Sequence, residues 1–231
     1  MPKLVAQMVG YNEADRHLDT VLAHLRKIAD EIVFTDDGSD DNTLEIAQKY
    51  ECHTYKSSEH LFEKHEGQLR QEAWNNLENH AKPGDWILAI DCDEKLWTTN
   101  PLMSLDNLMA QGRYDVLAIR FYHMWNETQY RVDKLWKPNL STRMFRYFEG
   151  GKFLQRQLAC GSEPSYVQDL VRTGRFMTET GLAMQHLGYE RDEDKLAKYV
   201  RYSTIDGGDF HAGNHINSII DQNPTLVDWS V

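Results

Sequence analysis

Cysteine is scarce in this chain of 231 residues: Cys52, Cys92 and Cys160 are the only three, and no Cys-x-x-Cys pair occurs. So sparse and odd a set argues against a disulfide framework and a structural zinc site, and it fits a reducing compartment. Long apolar runs are also missing. None approaches the roughly 20 residues that span a bilayer, and the opening MPKLVAQMVGYNE has too short an apolar stretch for a signal peptide. The expectation is a cytoplasmic protein with no membrane span. Positive charge is in deficit, with 25 Lys and Arg against 36 Asp and Glu and a formal net charge of -11. Such a chain repels polyanions on average, so no strong general affinity for nucleic acid is expected. A glycine-rich phosphate loop near the N-terminus is absent as well, since Gly10-Tyr11-Asn12 is not one. That counts against a nucleotidyltransferase, the main alternative enzyme reading.

What is present is an alternation of strand and helix signals. Leu4 to Val9 is a short apolar run bounded by Gly10 and reads as a buried strand. Leu18, Val21, Leu22, Leu25 and Ile28 recur at spacings of three and four, which marks one helical face over about 14–29. Residues 31–35 form a second strand that runs into Asp36-Asp37-Gly38-Ser39. Asp41 or Asn42 caps a helix carrying Leu44, Ile46 and Ala47. Residues 52–55 give a third strand, and a polar helix over about 66–80 ends at Pro83-Gly84. A fourth strand, 86–90, leads into Asp91-Cys92-Asp93-Glu94. This order predicts an α/β fold with a parallel, helix-covered sheet. The polar clusters after strands one, two and four then open on one edge, where such sheets hold ligands. The second half reads as an aromatic-rich strand over 114–125, a polar mobile loop over 126–139, strands at 141–148 and 182–187, and a helix over 192–205. The tail with Gly207, Gly208, His211 and His215 has no clear period.

Several residues carry chemistry. Asp91 and Asp93 lie in a turn past a buried strand and can converge on one hard divalent cation, Mg²⁺ or Mn²⁺. His186, at the end of a late strand, suits a third ligand of a Mn²⁺-type site. A carboxylate of Asp36-Asp37 can accept hydrogen bonds from a base imide or ribose hydroxyls, and Arg70 can balance a diphosphate. Glu163 in Gly161-Ser162-Glu163-Pro164 is the candidate general base, with Asp169 as the fallback. Trp125, Tyr130 and Trp136 can form a sugar-stacking platform or lid. Each has a plainer alternative: solvated turns and caps for the acids, an exposed helix face for Arg70, a structural histidine, core aromatics. A non-catalytic nucleotide or metal binder is the alternative outside enzymes, and it predicts saturable binding without turnover.

The order and spacing of VGYNEADRHLDTVLAHL, EIVFTDDGSDDNTLEIA, EGQLRQEAWNNLENHAKPGDWILAIDCDE, TRMFR and HLGYERDEDKLAKYVRY resemble a family 2 glycosyltransferase. Within that family the pattern is similar to small bacterial lipopolysaccharide-core and protein-modifying transferases. The resemblance implies a GT-A fold: a Rossmann-like, mostly parallel central sheet flanked by helices, a smaller acceptor-side sheet region and a C-terminal helix. It implies one domain over 1–231, with a nucleotide-sugar half at 1–95, an acceptor half at 96–190 and a helical tail at 191–231. It further implies a metal-dependent, inverting transfer from a nucleotide sugar, usually UDP-linked, to a hydroxyl of a glycan, a peptide or a modified nucleobase. By the match Tyr11, Glu13, Asp36, Asp37 and Arg70 contact the nucleotide, and Asp91 the ribose or metal. Asp93 and His186 bind the metal, and Glu163 deprotonates the acceptor.

Overall fold

The apolar runs of the first half become the centre of one eight-stranded sheet in a computed structural model of the chain, which describes residues 2–100, 102–157, 160–205 and 213–230. In chain order the elements are β1 (Leu4–Gly10), α1 (Leu18–Leu25), β2 (Glu31–Asp36), α2 (Thr43–Lys49), β3 (His53–Lys56) and α3 (Phe62–Leu77). Then come β4 (Trp86–Ala89), β5 (Glu94–Thr98), α4 (Leu105–Ala110), β6 (Val116–His123), β7 (Gln129–Arg131) and, after a 3-10 turn at Lys134–Trp136, β8 (Asn139–Arg146). The chain continues through α5 (Tyr166–Arg172), β9 (Phe176–His186), α6 (Asp192–Ile205), α7 (Gly213–Ile219) and β10 (Leu226–Asp228). Gly207, Gly208 and His211 lie outside the described residues. Among the described residues no helix is long and apolar enough to cross a membrane.

The sheet runs β3-β2-β1-β4-β8-β6-β9-β5. Its first four strands are parallel, β8 is antiparallel to both β4 and β6, β6 and β9 are parallel, and β5 is antiparallel to β9. The carboxyl ends of β1, β2, β4, β6 and β9 therefore meet on one edge, and β5 starts there. Side-chain alternation splits the core into two layers. Leu4, Ala6 and Met8 of β1 pack with the Leu18, Val21, Leu22 and Leu25 stripe of α1. Val5, Val33, Ile87 and Ala89 face Trp74 and Leu77 of α3. The first of these clusters draws residues from Leu4 to Leu187, across both halves of the sequence.

Differences from the sequence reading have local causes. α3 starts at Phe62 and is kinked at His65 (φ -161°, ψ 75°). The amides of Glu66 and Gly67 there bond to the carbonyls of Gln157 and Arg156 instead of to the preceding turn, which breaks the helical ladder. β5 and the Ser104-capped helix α4 were not foreseen; they are short and carry little period. The expected loop over 126–139 is a packed segment. β7 pairs antiparallel with β10, and Arg131 is fully buried. Its guanidinium is met by Asp133 and Asp221, each at 2.8 Å, and by the Ser218 carbonyl, and it lies over the Trp125 ring at 4.6 Å. A buried charge with this many partners explains why a packed stretch looks polar in sequence. Trp125 and Trp136 are 6% and 1% exposed and form a third core cluster with Tyr189 and Ile219. They are core residues and present no platform. Tyr130 packs edge-on against Tyr122 at 4.9 Å.

Trp74 is the largest side chain of the second layer, stacked near Phe145 and Tyr147 and donating to Glu78 at 3.0 Å. A Cβ on Gly151 would come within 2.6 Å of its ring, so the backbone is moulded to the indole. Trp74→Ala is expected to lower unfolding free energy by about 3–5 kcal/mol, read as a shift in the urea midpoint.

Candidate active site

The turn between β4 and β5 places three carboxylates on the common edge. The Asp91 amide donates to Glu94 Oε2 at 2.9 Å, and the Glu94 amide to the Asp91 carbonyl at 3.2 Å, which closes the turn. Arg143, from β8, donates to Asp91 Oδ2 and Glu94 Oε2, both at 2.8 Å. Arg70 of α3 stands 3.8 Å from Asp91 and 3.2 Å from Glu66. Burial opposes ionisation of Asp91, but Arg143 and Arg70 outweigh it and hold the carboxyl below its usual range. Glu94 is 1% exposed, and burial pushes it up to about 8 despite Arg143.

Asp93 has a different set of partners. Its Oδ2 is 3.2 Å from Lys198 Nζ and 3.4 Å from His186 Nε2. Register explains the histidine, since Glu94 pairs with His186 across β5 and β9. Burial opposes charge on Asp93 too, yet Lys198 and His186 hold it well below the usual carboxylate range. His186 Nδ1 meets His123 Nδ1 at 2.8 Å, across the paired ends of β6 and β9. Burial lowers both rings, and across this short contact one nitrogen must donate while the other accepts. Asp93, Glu94 and His186 offer ligand atoms that all lie within 4.8 Å of one another. Two carboxylates and an imidazole suit Mn²⁺ or Mg²⁺. Gly188 borders this point: a Cβ there would fall 2.3 Å from Asp93 Oδ2 and 2.8 Å from His186 Nε2. The donor set and the cradle fit a divalent ion.

These residues line a cleft of about 490 Å³, joined by Tyr11, Glu13, Asp37, His60, Arg16, Lys198 and Arg201. Tyr11 stacks on His60 with centroids 3.9 Å apart. Asp37 accepts from the Leu61 and Phe62 amides at 2.8 and 3.0 Å and sits 2.7 Å from His60 Nδ1. Glu13 pairs with Arg16 at 2.9 Å through one oxygen; the other is buried with no hydrogen-bond partner. Burial pushes Glu13 up to about 7. α6 is fastened over the cleft by Asp194, which takes Arg16 Nε at 3.1 Å and lies 3.5 Å from Arg191 and 3.7 Å from His17.

Of the residues read from sequence, Tyr11, Glu13, Asp37, Arg70, Asp91, Asp93 and His186 share this cleft. Asp36 does not. It is fully buried, takes the Ser39 amide at 3.1 Å and stands 3.6 Å from Lys56, closing its own turn. Glu163 stands off the cleft wall, held by Thr142 at 2.8 Å and Gln168 at 3.1 Å. Asp169 is exposed and paired with Arg172 at 3.2 Å. Sequence reasoning missed Arg16, His123, Arg143, Lys198 and Arg201. The signals were thin: Arg143 lies in the quoted TRMFR, and Lys198 and Arg201 recur three apart in KYVR.

The sequence model described as Glycosyl transferase family 2 matches residues 8–167, more than half of the chain. The chain belongs to glycosyltransferase family 2. An uncharacterized glycosyltransferase of Mycoplasma pneumoniae, the MG060 homolog, is 25% identical over 201 residues, covering 81% of this chain; the chain spans 60% of that relative's length. Among solved structures, the mannosyltransferase PcManGT from Pyrobaculum calidifontis, in complex with GDP-Man and Mn²⁺, superposes with a TM-score of 0.53 at 13% identity. That match covers 97% of this chain and 66% of the other. TarS 1-349 of S. aureus gives a TM-score of 0.52 at 18% identity, over 94% of this chain and 69% of its own. The likeness shows a shared GT-A fold. In this family 2 member the strand edge that the fold reserves for ligands is the edge where the charged cleft lies.

Two outcomes follow from the cleft's charges. Arg143→Ala leaves Asp91 and Glu94 without their shared cation and is expected to cost about 3 kcal/mol in chemical unfolding, with Arg143→Lys recovering part. For Glu13, the folded state keeps a proton between its ordinary pKa of 4.5 and about 7, where the unfolded chain has lost it. Its contribution to stability therefore falls as pH rises through that window. Stability of Glu13→Gln relative to wild type is expected to climb from pH 4.5 to 7, by on the order of 3 kcal/mol. A difference that is flat with pH would remove this account of Glu13.

Proposed function

We propose that this protein transfers a sugar, with inversion, from a UDP-linked donor to an acceptor hydroxyl. One observation carries the reading: Asp91, Asp93, Glu94 and His186 converge with Arg16, Arg70, Arg143, Lys198 and Arg201 in a single cleft at the carboxyl edge of the sheet. Acids alone would suit a cation and bases alone an anion. Their mixture suits a metal–diphosphate pair. Asp93 and His186, with Glu94 beside them, would hold Mn²⁺ or Mg²⁺, which supplies positive charge for the departing diphosphate. Arg70, Lys198 and Arg201 add positive charge at the same rim, where negative charge grows in the transition state. Tyr11 and His60 offer a stacking surface for the base, and Asp37 with the unpartnered oxygen of Glu13 offers acceptors for imide or ribose donors.

Glu163 is the proposed base. Its partners Thr142 and Gln168 orient the carboxylate, and its charge reaches Arg143. A base serves the acceptor, so a place beside the donor cleft, outside its wall, suits the role. The carboxylate takes the hydroxyl proton as that oxygen attacks the anomeric carbon from the face opposite the diphosphate.

The test is incubation with UDP-sugars and GDP-sugars in Mn²⁺, following nucleotide release. Release from UDP-sugars that stops with a chelator is expected, with inverted anomeric configuration in the product by NMR. Asp93→Ala is expected to lose at least ~10²-fold in turnover and its protection from melting by UDP plus Mn²⁺. Unchanged protection in Asp93→Ala would sink the site, and turnover of GDP-sugars alone would sink the donor.

A further inference from the structure

A cation already stands where the proposed divalent ion would bind. Lys198 Nζ and His186 Nε2 approach the same oxygen of Asp93, at 3.2 and 3.4 Å. A Cβ on Gly188 would meet all three, at 2.1 Å from Nζ, 2.3 Å from Oδ2 and 2.8 Å from Nε2, so the three atoms converge on one point beside bare backbone. Lys198 gets there from α6 across the face of Tyr189, 4.7 Å from the ring centroid, and its side chain is 12% exposed. It is drawn into the cleft and does not trail in solvent.

An ammonium and a divalent ion compete for that oxygen. Like charges a few ångströms apart in a site shielded from water repel strongly. Binding of the ion at that oxygen is therefore opposed while Lys198 stays there and favoured once it withdraws. Arg201, three residues on along the same helix, lines the same cleft, so an anion bound in it finds two cations of α6 and offers a displaced ammonium a partner. A diphosphate is such an anion.

We propose that Lys198 is an internal counter-ion that keeps the Asp93–His186 position closed to a divalent cation until a nucleoside diphosphate gives its ammonium another partner. Metal binding is then conditional on nucleotide and, by linkage, nucleotide binding on metal. The inference rests on the reading of Asp93 and His186 as metal ligands given above.

The experiment measures Mn²⁺ affinity by electron paramagnetic resonance of the free ion, on the full chain, alone and with saturating UDP or GDP. Wild type is expected to bind Mn²⁺ weakly alone and about tenfold or more tighter with nucleotide. Lys198→Gln is expected to bind Mn²⁺ alone about tenfold tighter than wild type, with the nucleotide effect reduced by about the same factor and the direct attraction of the diphosphate for the ion left in place. Lys198→Arg keeps a cation in place and is expected to behave as wild type does. An unchanged or weakened Mn²⁺ affinity in Lys198→Gln overturns the proposal while leaving the metal reading intact. The wild-type arm overturns it alone if nucleotide does not change Mn²⁺ affinity, whatever the folding of the variant. If neither protein binds Mn²⁺ with either nucleotide, the metal reading itself fails and this inference with it.

Discussion

Charge compensation across the β4–β5 turn is the constraint on which the rest of the molecule depends. A sheet edge carrying Asp91, Asp93, Glu94 and Glu13 would repel itself if its counter-charges were absent. They come from four separate places in the fold: Arg143 from β8, Arg70 from α3, Arg16 from the loop before α1, and Lys198 from α6. No single layer of packing completes the cleft, so its geometry reports the correct assembly of all of them. The same feature separates neighbouring carboxyls by function. Burial leaves Glu94 with a pKa of about 8, while Lys198 and His186 keep Asp93 ionised well below the ordinary range. Two adjacent acids thus have their acidities pushed in opposite directions, because their surroundings differ.

Much of this was legible in the chain itself. Parallel strands covered on both faces read as continuous apolar runs, which is why Leu4 to Val9, residues 31–35 and residues 86–90 stand out. The polar clusters that follow them fall on one edge as expected. What was illegible depends on distance. Arg143 meets Asp91 and Glu94 across 52 and 49 residues, and Lys198 meets Asp93 across 105. No local period encodes such a meeting. Tandem acids are ambiguous for another reason: of Asp36 and Asp37, one turns inward onto Ser39 and the other onto the start of α3, and spacing cannot say which faces a ligand. The segment after Trp125 misled because a buried arginine leaves a polar composition. Arg131 is satisfied by Asp133, Asp221 and Ser218, and the last two lie far along the sequence.

The third aromatic cluster and this arginine also explain how the final elements are held. β10 pairs with β7, Trp136 donates to Ser218 at 2.9 Å, and His215 stacks on Trp136 at 4.8 Å between centroids. His215 also lines the cleft, so the same contacts that anchor α7 bring one of its side chains to the site.

The Asp194 clasp has a consequence for the order in which the molecule is made. Arg16 and His17 precede in synthesis the carboxylate they meet, since Arg16 and Asp194 are 178 residues apart. The acidic rim is complete once residue 94 has emerged, yet its last neutralising lysine waits for residue 198. Between the making of residue 94 and residue 198 the acidic rim lacks the ammonium that meets Asp93, so the charge balance of the cleft is completed only after all the strands of the large sheet have been made.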